Sequence, residues 1–403
     1  MLALIEKLSQ NELRIFKAVY EKGPVSRVRL ARGLNLGRAA VTLHIKRLMK
    51  LGLILEVGKG ITTERRGRRE VLLATNPDAG IILAVHISLT HVHSGLINLN
   101  GRIIISEKRS FPESADPETI LNLVVDNLQL MIKKYQKDSN RIFGIGVALP
   151  GVIDYKTGVV REKTRNGWEG FNLKHYFEQK LHLQTLVEND VKAVTLGEFY
   201  LGSGRHINDL VCLWLRNGIG AGIINEGRLL RGYNSSAGEI GFNEFILDLP
   251  ANKSILLKDK PRCWGDALSF TNIQKTIGRG IDEGWKTSLT LESKVEDLIE
   301  SLKKDDPLAL YIYNLIVKLL GPICCNLAYT FNPKLLVLNG PLFEHIPKIV
   351  DDVRYHMDQA LLRTPLDTLN LKASLLGEEG ILIGCAALHL EYIFKTSEDA
   401  VLI

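Results

Sequence analysis

Two sets of residues in this chain share one chemistry, the capture of a polyanion. The first is Arg65-Arg66-Gly67-Arg68-Arg69, four guanidinium groups around a glycine. Arginines so clustered can reach into a narrow minor groove, where the negative potential is high. The second is Arg38, Ala39, Thr42, Leu43 and Lys46, in the segment RAAVTLHIKRLMK. In that segment Val41, Ile45 and Leu48 follow a 4-then-3 spacing, which predicts a helix with one apolar stripe. The named set then points away from the stripe, and a helix with a small, basic front fits the DNA major groove. Alternatively, either set is a solvated surface, so the distribution of charge matters. Residues 1–75 hold 16 Lys/Arg against 6 Asp/Glu, a net of +10, while the remainder of the chain is at −4. That asymmetry favours a polyanion-binding head on a nearly neutral body.

The elements that must position these residues follow from local pattern. Leu13, Phe16, Val19 and Tyr20 predict a helix from about Ser9 to Glu21, which Gly23-Pro24 ends. Ser26 is an N-cap for a short helix through Leu34. Asn35-Leu36-Gly37 then turns the chain into the Arg38 helix, giving a helix-turn-helix plan. Two strand-like runs, Leu53 to Val57 and Glu70 to Ala74, flank the arginine cluster as a β-wing. Residues 1–76 are therefore expected to form a winged helix-turn-helix domain.

The body is of mixed α/β class. Residues 81–111 read as strands, split into a hairpin at Asn98-Leu99-Asn100-Gly101. Asp116-Pro117 opens an amphipathic helix with Ile120, Leu123, Val124, Leu128, Met131 and Ile132 inward. FGIGVALPGVID is a buried strand entering a loop. A second alternating stretch starts near residue 210, helices follow at about 294–304 and 307–331, and LLVLNGP is another buried strand. The two similar halves predict an internally duplicated body with a cleft between lobes. A chain of 403 residues has room for this. No run of about 18 apolar residues is expected to span a membrane, and the N-terminal MLALIEKLSQNELR does not read as a signal peptide. The five cysteines (Cys212, Cys263, Cys324, Cys325, Cys385) have no ligand spacing, so a reducing, cytoplasmic setting is expected.

In order along the chain, the winged head with its Gly-Arg-Arg wing, GVALPGVID, VENDVKAVTLGE, GIGAGII, GRLLRGYNSSAGEIG and GEEGILIGCAAL resemble the repressor branch of the ROK family of sugar kinases and sugar-responsive repressors. The resemblance covers nearly the whole chain. It implies an actin-like, ribonuclease H-like sugar-kinase fold behind the head, with a first lobe of residues 77–190 and 377–395, a second of 191–376, and a tail of 396–403. It implies sugar contacts at Asn189, Asp190 and Glu239, with Asn166 as a further one. A carboxylate suits this task because it accepts hydrogen bonds from hydroxyls directionally. For Asp190, a helix N-cap is the bland alternative.

The departures are informative. The family's Asp-x-Gly-x-Thr phosphate motif corresponds to His86, Ser88 and Thr90. An imidazole is a poor partner for Mg²⁺, and a Cβ at 88 obstructs phosphate. Asn217 stands at the usual threonine of the second phosphate loop. Weak or absent ATP binding, no enzyme activity and no cofactor are expected. Phe242 replaces a sugar-touching, zinc-binding His; it is either an apolar wall for the sugar or core packing. Cys263 is alone where the family has three cysteines, so no metal is expected. The resemblance thus implies a transcriptional repressor that binds double-stranded operator DNA, an inverted repeat, as a homodimer or homotetramer and answers to a carbohydrate effector. An active sugar kinase with an accessory head and a ligand-blind regulator are the rival readings.

Overall fold

The computed structural model describes residues 5–60, 69–112, 114–135, 141–162, 167–244, 261–360 and 362–395. Of the residues singled out above, Arg65, Arg66, Gly67, Arg68 and Asn166 lie outside this set, as does the tail.

In the head, helix α1 (Gln10–Lys22) buries Leu13, Phe16, Val19 and Tyr20. Ser9 and Glu12 start it with a reciprocal capping box: Glu12 N donates to Ser9 Oγ at 3.4 Å, and Ser9 N donates to Glu12 Oε2 at 2.8 Å. A short strand β1 (Val25–Ser26) leads into α2 (Arg27–Leu34), which Ser26 caps by accepting from Arg29 N. Asn35 turns the chain in the left-handed region (φ 53°), and α3 (Arg38–Lys50) follows. Strands β2 (Ile54–Lys59) and β3 (Val71–Thr75) pair antiparallel, and β3 also pairs with β1. The wing strands match expectation within two residues. Strand β1 was not foreseen, because two residues carry no periodicity and their partners, Leu72 and Leu73, are distant in sequence.

The chain divides into two compact units, residues 1–201 with 381–403, and residues 202–380. Beyond the head, the first unit contains β4 (Ile81–Ile87), β5 (His91–Asn98), β6 (Ile103–Ser110), α4 (Pro117–Tyr135), β7 (Ile142–Leu149), β8 (Ile153–Asp154), β9 (Val159–Val160), α5 (Leu173–Leu181), β10 (Thr185–Asn189) and α6 (Asp190–Leu201). Its sheet runs β6-β5-β4-β7-β10, with β4 to β6 an antiparallel meander and β7 and β10 parallel to β4. The expected single hairpin is thus three strands, with a further turn at Ser88–Thr90. Helix α4 packs Ile120, Leu121, Val124 and Leu128 against Leu83, Val85 and Val147.

The second unit holds β11 (Leu210–Leu215), β12 (Ile219–Asn225), β13 (Arg228–Leu229), α7 (Trp264–Leu268), α8 (Phe270–Asp282), α9 (Val295–Leu302), α10 (Pro307–Phe331), β14 (Leu335–Asn339), α11 (Pro341–His345), α12 (Ile349–Met357), α13 (Thr364–Asp367) and β15 (Asn370–Ala373). Its sheet runs β13-β12-β11-β14-β15, again a meander followed by two parallel strands. The same strand order in both sheets bears out the internal duplication. Helix α14 (Gly380–Lys395) returns the chain to the first unit.

Helix α10 does contain an 18-residue window of mean hydropathy 1.8, long and apolar enough to cross a membrane by length and composition. However, 67% of that window is buried inside the fold. Ile312, Ile316 and Leu320 pack with Val211, Leu213 and Leu338 in the core of the second unit, so the apolarity of α10 is that of a core helix.

Candidate DNA-binding face and effector site

Helix α3 is built as a two-sided element. Val41, Ile45 and Leu48 are fully buried, and α1 and α2 pack against it. Arg38, Ala39 and Lys46 are exposed, and Leu43 is 68% exposed. Leu43 sits between Arg38 and Lys46 on the same exposed face of α3. Thr42 is half-buried and donates its hydroxyl to Arg38 O at 2.9 Å. Of the wing set, Arg69 is described and exposed, and its neighbour Glu70 lies 3.7 Å from Arg29 of α2.

Sequence reasoning missed the anchor of this face. Glu12 of α1 is 2% exposed, yet its carboxylate accepts from Arg47 Nη1 at 3.3 Å and lies 3.4 Å from His44 Nδ1, both on the flank of α3. Burial raises the pKa of Glu12, but hydrogen bonds from the Ser9 backbone and hydroxyl, from His44, and the charge of Arg47 outweigh it, leaving the carboxyl below its usual value. The Ser9-x-x-Glu12 spacing was the available signal.

In the first unit, β10 ends at Asn189 and α6 begins at Asp190. Asn189 Oδ1 accepts from Lys192 N at 3.2 Å, and its Nδ2 donates to Gly151 O at 3.1 Å. Asn189 therefore caps α6 and ties it to the Pro150-Gly151 loop. Asp190 is the first helical residue, half-buried, with Oδ1 accepting from Val191 N at 2.9 Å. The capping task thus falls to Asn189, and Asp190 places a carboxylate, chemically a hydrogen-bond acceptor, at the first residue of α6.

The turn at the phosphate-motif positions is closed upon itself. Ser88 Oγ accepts from Thr90 N at 3.3 Å and from His91 N at 3.0 Å, and Ser88 N donates to His91 O at 2.9 Å. The turn thereby occupies the backbone N–H groups of Ser88, Thr90 and His91. His86 is buried on β4 opposite His93 of β5. An imidazole there does not fit a Mg²⁺ site.

In the second unit, Gly238 has φ +90°, and a Cβ there would lie 1.9 Å from Ala221 O. Its own carbonyl accepts from Ala221 N at 3.0 Å. Glycine is what lets this loop lie flat on β12 and hold Glu239, half-buried, at the start of a 3-10 turn, Ile240–Phe242. Phe242 is 74% exposed, which excludes core packing for it. In Arg216-Asn217-Gly218, Arg216 N donates to Gly218 O at 3.0 Å and Asn217 is exposed. Cys263 Sγ accepts from Asp266 N at 3.5 Å as the cap of α7. With Phe242 in place of a histidine, this donor set does not fit zinc.

Comparison with known proteins agrees with this division. Residues 8–54 match a winged helix-turn-helix DNA-binding family. The chain is 26% identical over 393 residues to the xylose repressor of Caldicellulosiruptor bescii, covering 97% of this chain and 98% of that protein. It is 24% identical over 335 residues to the DNA-binding transcriptional dual regulator NagC of Escherichia coli strain K12, covering 83% and 81%. A crystal structure of a ROK family transcriptional regulator, a homologue of the E. coli MLC protein, shares the fold with a TM-score of 0.78 at 22% identity, covering 97% of this chain and 98% of that one. A ROK family glucokinase from Streptomyces griseus matches with a TM-score of 0.59 at 21% identity, over 77% and 99%. The family pattern of the body matches residues 82–392, well over half of the sequence, and this chain belongs to the ROK family.

Proposed function

We propose that this protein is a sequence-specific transcriptional repressor of carbohydrate-utilisation genes, acting in the cytoplasm, whose ROK body binds a sugar or sugar derivative. The observation that carries the reading is the exposed Arg38, Ala39, Leu43 and Lys46 face of α3, mounted on a buried apolar back in the same chain as a ROK body. The names of its relatives, xylose repressor and N-acetylglucosamine repressor, support a sugar as the effector class. Residues 1–76 form the reading head, with Arg65, Arg66, Gly67, Arg68 and Arg69 assigned as minor-groove contacts. Asn166, Asn189, Asp190, Glu239 and Phe242 are each assigned as effector contacts. Asp190 and Glu239 accept from sugar hydroxyls, and Phe242 offers an apolar ring face. A homodimer on an inverted repeat matches protein symmetry to operator symmetry.

Control follows from linkage: a sugar that prefers one conformation of the body shifts operator affinity by its difference in affinity for the two. The self-closed Ser88 turn and His86 support a body without phosphoryl transfer. The experiment combines three readouts on the full chain. Operator duplex is selected from a random library, sugar binding is read as a thermal shift across a sugar panel, and ADP release is followed with the same sugars. Asp190→Ala is expected to retain duplex binding and lose the thermal shift. Sugar-dependent ADP release at an ordinary enzyme rate overturns the reading, as does a protein that selects no duplex at low salt.

A further inference from the structure

Within the first unit, three elements meet on one ring. Phe394, near the end of α14, lies 5.1 Å from Tyr20 and 5.7 Å from Phe16 of α1 in the head, centroid to centroid. It also lies 6.0 Å from Tyr200 at the end of α6. The three pairs are tilted, at 50°, 54° and 42°, as aromatic quadrupoles favour. All four residues are buried, Phe394 to 1% exposure. The Tyr20 hydroxyl donates to Leu99 O at 3.0 Å, and the Tyr392 hydroxyl donates to Glu6 at 3.2 Å, so the head is also pinned by hydrogen bonds on either side of the ring.

The other end of α6 is Asp190. Asp190 and Leu201 are the first and last residues of this twelve-residue helix, roughly 17 Å of rigid rod. Helices α6 and α14 cross in backbone contact: a Cβ on Gly384 would lie 2.4 Å from Ala193 O. A crossing that tight moves the two helices as one body, because packed interiors transmit displacement and do not absorb it. On the head side, α1 carries Phe16 and Tyr20 on its inner face and, one turn earlier, Glu12, which grips α3.

We propose that Phe394 is a positioning residue for operator binding, tying the head to the effector-reading helix so that a shift of α6 reaches α3 through Tyr200, Phe394 and Tyr20. This rests on the reading of Asp190 as an effector contact. It assigns to α14 a role in setting the angle at which α3 meets DNA. Ring stacks suit such a joint, since a tilted pair can re-seat between discrete arrangements while staying dry.

The test is a double-substitution cycle on the full chain, with no sugar present, against the operator duplex that the unsubstituted protein selects from a random library. Gly384→Ala wedges α6 from α14, and Phe394→Leu removes the ring while keeping an apolar side chain. Gly384→Ala is expected to change operator Kd by roughly threefold or more, and in the Phe394→Leu background by less than about 1.5-fold. A purely structural Phe394 would leave the two fold-changes equal, and that result overturns the proposal. So does an operator Kd that ignores Gly384→Ala. If Gly384→Ala does not fold, Tyr200→Leu replaces it in the same cycle with the same expectation of non-additivity. Because no sugar enters the cycle, its failure speaks to the joint alone, whereas a silent thermal-shift panel speaks to the effector reading alone.

Discussion

Arg47 of α3 donates to the carboxylate of Glu12, a buried group on α1, at 3.3 Å. The pair sets how far the DNA-facing helix is rotated about its own axis, because Arg47 sits on the edge between the buried stripe and the exposed front. Glu12→Ala removes this hold and the capping box together and is expected to cost about 1–2 kcal/mol. The pKa of Glu12 is depressed in the fold, so its stabilising contribution is present above the unfolded carboxylate value and is lost as pH falls through the lower folded one. Urea unfolding at a series of pH values checks both points. The gap between the native protein and the variant should narrow below about pH 4.

Arg38→Ala and Lys46→Ala are expected to weaken duplex binding and to flatten its salt dependence. Each lost phosphate contact removes about 0.9 from the slope of log K against log salt. Arg66→Ala and Arg68→Ala in the wing should act alike. Anisotropy titrations at several salt concentrations decide the matter, and an unchanged slope removes that residue from the interface.

Gly238→Ala places a Cβ 1.9 Å from Ala221 O at a backbone φ of +90°. The loop must lift off β12, so a loss of about 3 kcal/mol or more is expected, together with displacement of Glu239. Calorimetry of the variant measures the first effect. The thermal shift with sugar measures the second, and it should disappear.

His389 of α14 is completely buried, and burial pushes its pKa down to about 4, with the Ile145 backbone opposing only in part. The unfolded chain binds the proton more readily than the folded one, so stability is lost as pH falls from about 6.5 towards 4. Between pH 7 and pH 5 the loss from this residue should be about 2 kcal/mol. His389→Leu should flatten that stretch of the stability profile, and an unaltered profile contradicts the assignment.

Much of this architecture could be read in advance, wherever burial imposes a period on local sequence. Val41, Ile45 and Leu48 declared α3, and Asp116-Pro117 declared the start of α4. The repeated strand pattern pointed to a duplicated body. What escaped was mostly non-local. Strand β1 exists because Leu72 and Leu73 pair with it. Asn189 was read only as a sugar contact, yet its amide caps α6 and holds Gly151. The meeting of Phe16, Tyr20, Tyr200 and Phe394 leaves no trace in spacing, since those positions are brought together only by the return of α14. Helix α10, expected at 307–331, owes its apolar length to burial in the core of the second unit.

The return of α14 also bears on synthesis. Residues 381–395 complete a unit whose first residues left the ribosome long before, with the whole of residues 202–380 made in between. Until they emerge, Phe16 and Tyr20 have no Phe394 to dock upon. A polypeptide that stops upstream of residue 381 therefore lacks the ring against which Phe16 and Tyr20 pack.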